Sequence, residues 1–166
     1  RCSTEYAVTR VTEERFSNDP KVIRERLALT DEMRLIVMFE ENFPTNGYID
    51  CLDFLKPLEK TGYTIDILSL GKLRTMVETV RKLTNFFMSI KDGVYPNLKR
   101  MSAPVLSFPE VQRRIDQILD KFGDVKDTAS DKLLEIRRAI KTKEGAISKR
   151  ANAILKQAQA DGRVDE

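Results

Sequence analysis

The stretch from Ser130 to Ala160 reads SDKLLEIRRAIKTKEGAISKRANAILKQAQA. Apolar residues recur in it at every seventh position, which predicts one long α-helix with a coiled-coil-like seam. The residues of this line are Leu133, Ile140, Ile147 and Ile154. A coiled-coil seam has a second position, three residues after each member of this line. There Ile136 is the only apolar residue, and the others are Lys143, Arg150 and Gln157. We therefore expect the helix to pack at its start and to project at its end.

The positive charge of the chain is concentrated in this helix. The whole chain has a net charge of +3, whereas the segment from Lys132 to Lys156 holds eight basic and two acidic residues, which leaves +6 there and −3 elsewhere. If the isoleucine line faces a partner helix, the opposite side carries four cations. We predict that these cations bind the phosphates of a nucleic acid: Arg138, Lys141, Lys149 and Lys156. The alternative is that a lysine-rich helix face is simply solvated.

Upstream of this helix, turn-forming residues separate further segments whose apolar residues recur at helical spacing. Asp19 before Pro20, and Asp66 further on, are typical helix caps. Helices are predicted over 2–16, 20–42, 52–58, 67–92 and 110–120, with a loop over 95–109 that can hold one helical turn. The predicted fold class is therefore all-α, with a multi-helix core domain over 1–126 and the start of a long projecting lever helix over 127–166.

Several classes of chemistry are excluded by what the chain lacks. It contains no histidine, which removes Ser-His-Asp and Cys-His catalysis and two-histidine metal sites. Its two cysteines are too few for a disulfide framework or a four-ligand zinc site, so a reduced, cytoplasmic setting is expected. No apolar run is long enough to span a membrane, and no phosphate-binding glycine loop occurs. We predict no catalytic, metal-binding or cofactor-binding residue in this segment.

Three smaller features are best explained by packing or by helix-end charge. The cluster Phe86-Phe87-Met88 is predicted to pack in the core, and Cys51 is predicted to be a small buried hydrophobic residue. The acidic pairs Glu40-Glu41 and Asp50 with Asp53 resemble paired catalytic carboxylates only in composition. Charge at helix ends explains them better, because nothing in the sequence brings opposing acids together.

The run from Lys126 to Ile140, KDTASDKLLEIRRAI, resembles a segment of the MutS type-two family. In that family an aspartate, a small residue, Ala-Ser and then Leu-x-x-Ile-Arg open the first long helix after the core. The matching residues are Asp127, Ala129, Ser130, Leu133, Ile136 and Arg137. The flanking segments agree in order and spacing over nearly the whole chain: Glu40 to Pro44, Leu55 to Gly62, and the helix from Asp66.

The resemblance implies a parent protein that is a dimeric ATPase built like MutS, without its mismatch-reading front domain and often with a small nuclease domain. Such proteins act in DNA repair and recombination on branched or recombining DNA, and some act on stalled ribosomes. This segment would be the helical core and the start of the lever that leads to the DNA clamp. ATP, magnesium and any nuclease centre would lie beyond Glu166, and we expect both ends of the chain to lie inside a longer protein.

The expected partners are duplex or branched DNA and a second subunit of the parent protein, with ribosomal RNA as a further candidate. A different class of function stays open at this point. The chain could be a helical interaction module whose long arm pairs with another protein or with ribosomal RNA, without any role on DNA. A glycine-rich nucleotide-binding loop downstream of this segment would favour the ATPase interpretation.

Overall fold

The computed structural model describes residues 2–163, and its regular secondary structure there is helical apart from one isolated bridge between Leu119 and Val125. The predicted all-α class is confirmed. The α-helices in this part of the chain are α1 Glu5–Thr12, α2 Pro20–Phe39, α3 Leu52–Leu55, α4 Ile67–Ser89, α5 Pro96–Ser102, α6 Pro109–Ile118 and α7 Asp131–Ala160. Two 3-10 turns are also present. Lys56–Glu59 directly follows α3, and Asp127–Ala129 comes shortly before α7.

The chain forms two compact units, Arg1–Asp116 and Gln117–Glu166. The first unit contains α1 to α5 and most of α6, and the second contains α7. The division falls in the last turn of α6, ten residues before the predicted domain boundary after position 126. The assignment of 1–126 to a core domain and 127–166 to a lever stays a prediction.

Helices α2, α4 and α7 each begin after a residue whose side chain caps the helix, and the sequence predicts the first two of these caps, Asp19 and Asp66. The carboxylate of Asp19 accepts a hydrogen bond from the amide two residues later at 2.8 Å, and Asp66 accepts one from the amide three residues later at 2.9 Å. The hydroxyl of Ser130 accepts one from the amide three residues later at 3.2 Å. Each cap satisfies an N–H group that has no partner inside its helix. The predicted starts are confirmed, although α1 and α2 are shorter than their predicted ranges.

Aromatic side chains of α4 form the centre of the first unit. Phe86 and Phe87 are buried, and both meet Phe43 edge to face, with ring centroids 5.2 and 6.4 Å apart. Ile36 of α2 and Leu98 of α5 complete this buried cluster. The prediction that the two adjacent phenylalanines belong to the core is therefore confirmed.

The segment from 95 to 109 was predicted as a loop that can hold one helical turn, and the structure differs because α5 occupies seven residues of it. The buried carboxylate of Glu32, in α2, is the physical reason. It accepts hydrogen bonds from the backbone amides of Asn97 and Leu98, at 3.1 and 2.8 Å, and from the Asn97 side chain at 2.7 Å. These amides lie at the start of α5, where no intrahelical partner exists. Glu32 therefore caps α5 from a distant part of the chain.

The segment that joins α2 to α3 packs closely against α4. Cys51 is buried, as predicted, and burial raises the pKa of its thiol. The Thr79 hydroxyl is also buried and lies 2.9 Å from the carbonyl oxygen of Thr75 and 3.1 Å from that of Gly47. Gly47 has a φ of 84°, in the left-handed region, and a Cβ there would overlap the Thr79 hydroxyl. Only glycine meets both conditions without strain.

We expect Gly47→Ala to destabilise the first unit by about 2 kcal/mol, because left-handed strain and overlap with Thr79 add together. Gly71→Ala is the matched control, since Gly71 lies inside α4 and a Cβ there meets no atom within 4 Å. This control should stabilise the protein by about 0.5 to 1 kcal/mol, because alanine loses less entropy than glycine when it enters a helix. Urea denaturation measures both changes. A Gly47 variant as stable as the Gly71 variant would contradict the argument.

Candidate nucleic acid interface

In the second unit, residues 119–125 form a turn that precedes α7. Leu119 and Val125 pair across this turn, and the carboxylate of Asp120 accepts hydrogen bonds from the amides of Phe122 and Asp124 at 2.8 and 3.0 Å. Burial disfavours the charged form of Asp120, but the backbone donors outweigh that effect and hold its pKa below the usual range. The turn is therefore held by its own backbone and by one carboxylate.

Arg137 connects the first turns of α7 to the residues that precede the helix. Its guanidinium donates a hydrogen bond to the carbonyl oxygen of Val125 at 3.0 Å and forms an ion pair with Asp127. The residues between them include Ser130, the cap of the helix. Three residues that carry the family resemblance, Asp127, Ser130 and Arg137, thus determine how α7 begins.

The four predicted phosphate-binding residues all lie on α7 and are exposed. None of them takes part in the ion pairs formed among residues 2–163. At about 100° per residue, Arg138, Lys149 and Lys156 lie roughly opposite the line through Ile140, and Lys141 lies about 100° from that line. Three of the cations therefore share one face over about 27 Å, and Lys141 lies at its edge.

The apolar line of α7 is uncovered beyond the first turns of the helix. Leu133 is half-buried, but Ile140, Ile147 and Ile154 are 49, 68 and 65% exposed. From position 138 to position 157 every side chain is exposed. Packing at the start of the helix agrees with the prediction. Within the second unit, no described residue covers the three isoleucines.

Two of the four acidic residues that resembled catalytic pairs have roles in the fold. Asp50 accepts hydrogen bonds from the amides of Tyr6 and Leu52, both at 3.2 Å, and Glu40 accepts one from the Tyr95 hydroxyl at 3.1 Å. Between residues 2 and 163 no three histidine, cysteine or acidic side chains lie close enough to hold a metal ion. In the same range, no helix has the length and apolar character needed to cross a lipid bilayer.

Comparison with known proteins finds relatives in several bacteria that carry the same name. The chain is 27% identical over 133 residues to "Endonuclease MutS2" of Geobacillus sp. (strain WCH70), which covers 79% of the chain and 17% of the relative. It is 28% identical over 135 residues to the protein of the same name from Clostridium perfringens (strain SM101 / Type A), covering 81% of the chain and 17% of the relative. Geobacillus thermodenitrificans (strain NG80-2) has a third such relative, 24% identical over 152 residues, which covers 90% of the chain.

The chain spans 17 to 19% of the length of these curated relatives. No family model matches it. The aligned part includes most of the chain, as expected from the order and spacing of the segments that flank the long helix. These matches confirm the resemblance indicated by the run from Lys126 to Ile140: over about four-fifths of its length or more, the chain is similar to the MutS type-two family.

Proposed function

We propose that this chain is a non-catalytic core and lever segment of a MutS-like, DNA-binding ATPase that acts on branched or recombining DNA. The observation that carries the proposal is the row of exposed cations on α7, which no acidic side chain among residues 2–163 neutralises. The similarity to proteins named Endonuclease MutS2 supports the same assignment. ATP, magnesium, any nuclease activity and dimerisation belong, in this proposal, to the parent protein.

In the proposed mechanism, α7 transmits movement. Its 30 residues form a rod of about 45 Å, because an α-helix rises 1.5 Å per residue. The nucleotide state of the ATPase moves this rod and thereby opens or closes a charged channel around the DNA. Arg138, Lys149 and Lys156 contact phosphates on one side of the helix, with Lys141 at the edge. Such contacts position the duplex without reading its sequence.

A helical module that binds a protein or ribosomal RNA is the second candidate, and the uncovered apolar line of α7 is the observation that favours it. Phosphate contacts alone do not distinguish DNA from RNA, since both carry the same backbone charge. Titration of the chain with duplex DNA, branched DNA and structured RNA at two salt concentrations separates these cases. Tightest binding to structured RNA would favour the second candidate.

We expect the variant R138Q/K141Q/K149Q/K156Q to bind duplex DNA more weakly and with less salt dependence. Each phosphate contact contributes about 0.9 to the slope of log K against log salt concentration, so four contacts contribute about 3 to 4. Fluorescence anisotropy between 50 and 200 mM salt measures this slope. Glutamine keeps the helical propensity of the replaced residues, so the change tests charge rather than folding.

The matched control is K21Q/R24Q/K60Q/K91Q, which removes three lysines and one arginine that are exposed in the first unit. Both variants change the net charge of the chain by the same amount. The control should keep the original salt slope. Equal slopes for the two variants would show that binding follows net charge alone and would reject the assignment to α7.

A further inference from the structure

We propose that the ring of Phe122 stacks on an unpaired base at a DNA branch while the cations of α7 hold the adjoining duplex. The inference rests on the proposed function and deepens it, because it names the feature of the DNA that this segment selects. Phe122 would be a specificity-determining residue of the same interface, and the ligand it takes is the flat face of a base.

The first observation is the exposure of this ring. Phe122 lies within the turn formed by residues 119–125, and it is 79% exposed. The Lys121 ammonium lies 4.8 Å from the ring centroid, over one face of the ring. Among residues 2–163 no other aromatic ring pairs with Phe122. Its second face is therefore open to a flat, apolar partner.

The second observation is that the backbone holds the ring in place. The Asp120 amide donates a hydrogen bond to the Asp124 carbonyl oxygen at 2.9 Å, and the Lys126 amide donates one to that of Ile118 at 2.8 Å. The amide of Phe122 itself donates to the Asp120 carboxylate at 2.8 Å. A ring carried by such a turn loses little freedom when it binds, so most of the stacking energy is retained as affinity.

Phe16, in the first unit, shows what a less constrained exposed ring looks like. Its side chain is fully exposed, but residues 14–19 have no regular secondary structure to fix its position. Single exposed apolar residues are common on protein surfaces. Phe122 differs from Phe16 because it has both a fixed backbone and a fixed connection to the candidate interface.

That connection is made by Arg137. Its guanidinium donates to the carbonyl oxygen of Val125, at the end of the turn, and pairs with Asp127. On α7, Arg137 lies about 60° from the line through Ile140, and Lys141 lies about 100° from that line on the same flank. The turn is therefore anchored to the flank of α7 that leads to its cationic face.

The charges of the turn determine what the ring contributes. Residues 117–126 contain two lysines and two aspartates, so the segment has no net charge. It adds no general attraction for a phosphate backbone, in contrast to α7. The ring should therefore leave the affinity for a continuous duplex unchanged and raise the affinity only where it finds a base to stack on.

An unpaired base at a branch offers that stacking surface at the lowest cost. In a continuous duplex both faces of each base are already stacked, and extrusion of a base requires unpairing and unstacking. This cost is smallest for a base that is already unpaired. Phenylalanine has no hydrogen-bonding group, so its ring accepts any of the four bases and selects the branch without reading the sequence.

Two DNAs with the same number of phosphates test the proposal with the whole chain. One is a continuous duplex, and the other is a three-way junction with two unpaired nucleotides at its centre, one of them 2-aminopurine. Fluorescence anisotropy measures affinity, and quenching of the 2-aminopurine reports stacking. We expect the junction to bind about ten times more tightly than the duplex, because one base stacked on an aromatic ring contributes on the order of that factor.

Phe122→Ala should lose about ten-fold in affinity for the junction and should leave the 2-aminopurine unquenched. Its affinity for the duplex and its salt slope should stay as they are. Phe122→Trp should keep the preference for the junction, since indole stacks as well. Phe16→Ala is the matched control, because it removes the other highly exposed ring and should change neither affinity. Circular dichroism checks that the variants keep their helices.

Four results would overturn the proposal: equal affinities of the original chain for the two DNAs, an unchanged preference or unchanged quenching in Phe122→Ala, an equal loss for both DNAs in that variant, or the same loss in Phe16→Ala. If Phe122→Ala has no effect but the salt slope still depends on the cations of α7, this inference alone fails. If the chain binds neither DNA, the proposed function fails as well.

Discussion

Glu32→Ala is expected to destabilise the first unit by about 3 kcal/mol. The carboxylate of Glu32 is buried and accepts three hydrogen bonds from Asn97 and Leu98, so its removal leaves the first amides of α5 without partners away from water. Hydrogen bonds to charged groups contribute about 1.5 to 3 kcal/mol each, and orphaned buried donors add to the loss. The four tyrosines lie in the first unit, and their fluorescence during urea denaturation measures the change.

Hydrogen exchange adds a local measurement to this prediction. The amides of Asn97 and Leu98 should exchange faster in Glu32→Ala before the rest of the unit does, because α5 loses its cap. The control is Glu25→Ala, since Glu25 lies on the same helix and pairs with Arg100 of α5 at 3.2 Å on the surface. Exposed ion pairs contribute 0 to about 1 kcal/mol. Equal losses in the two variants would contradict the capping role of Glu32.

Phe86→Ala should destabilise the first unit by about 3 to 5 kcal/mol. The side chain of Phe86 is 6% exposed and lies 5.2 Å, between ring centroids, from both Phe43 and Phe87. Truncation leaves a cavity and removes two edge-to-face contacts, each of which contributes beyond simple burial. The same urea experiment measures the loss, and exchange of amides in α2 and α5 shows whether both helices loosen.

Met88→Ala is the control for this second prediction. The sequence groups Met88 with the two phenylalanines as a packed cluster, but Met88 is 79% exposed, so this part of the prediction is wrong. Each step along a helix turns the side chain by about 100°, and two steps from Phe86 point it away from the core. Its truncation should change stability by less than about 0.5 kcal/mol. A loss comparable with that of Phe86→Ala would show that the cluster is larger than the structure indicates.

The candidate nucleic acid interface was predictable in part because its residues lie on one continuous helix. Helical geometry places Arg138, Lys149 and Lys156 on a common face whatever surrounds them, so the residue spacing was sufficient. The same spacing could not show that Arg137, beside Arg138 in sequence, pairs with Asp127 instead of facing solvent. That contact depends on the path of the chain before α7.

The class of the fold and the starts of α2, α4 and α7 were determined by the sequence alone, because a cap such as Asp19 and a helical period depend on residues a few positions apart. Only the tertiary structure decided that α5 is a helix, since its capping carboxylate, Glu32, lies 65 positions before Asn97. It also showed that the isoleucine line of α7 is exposed within the second unit. Periodicity shows which residues share a face, but what covers that face depends on contacts between distant parts of a chain or between chains.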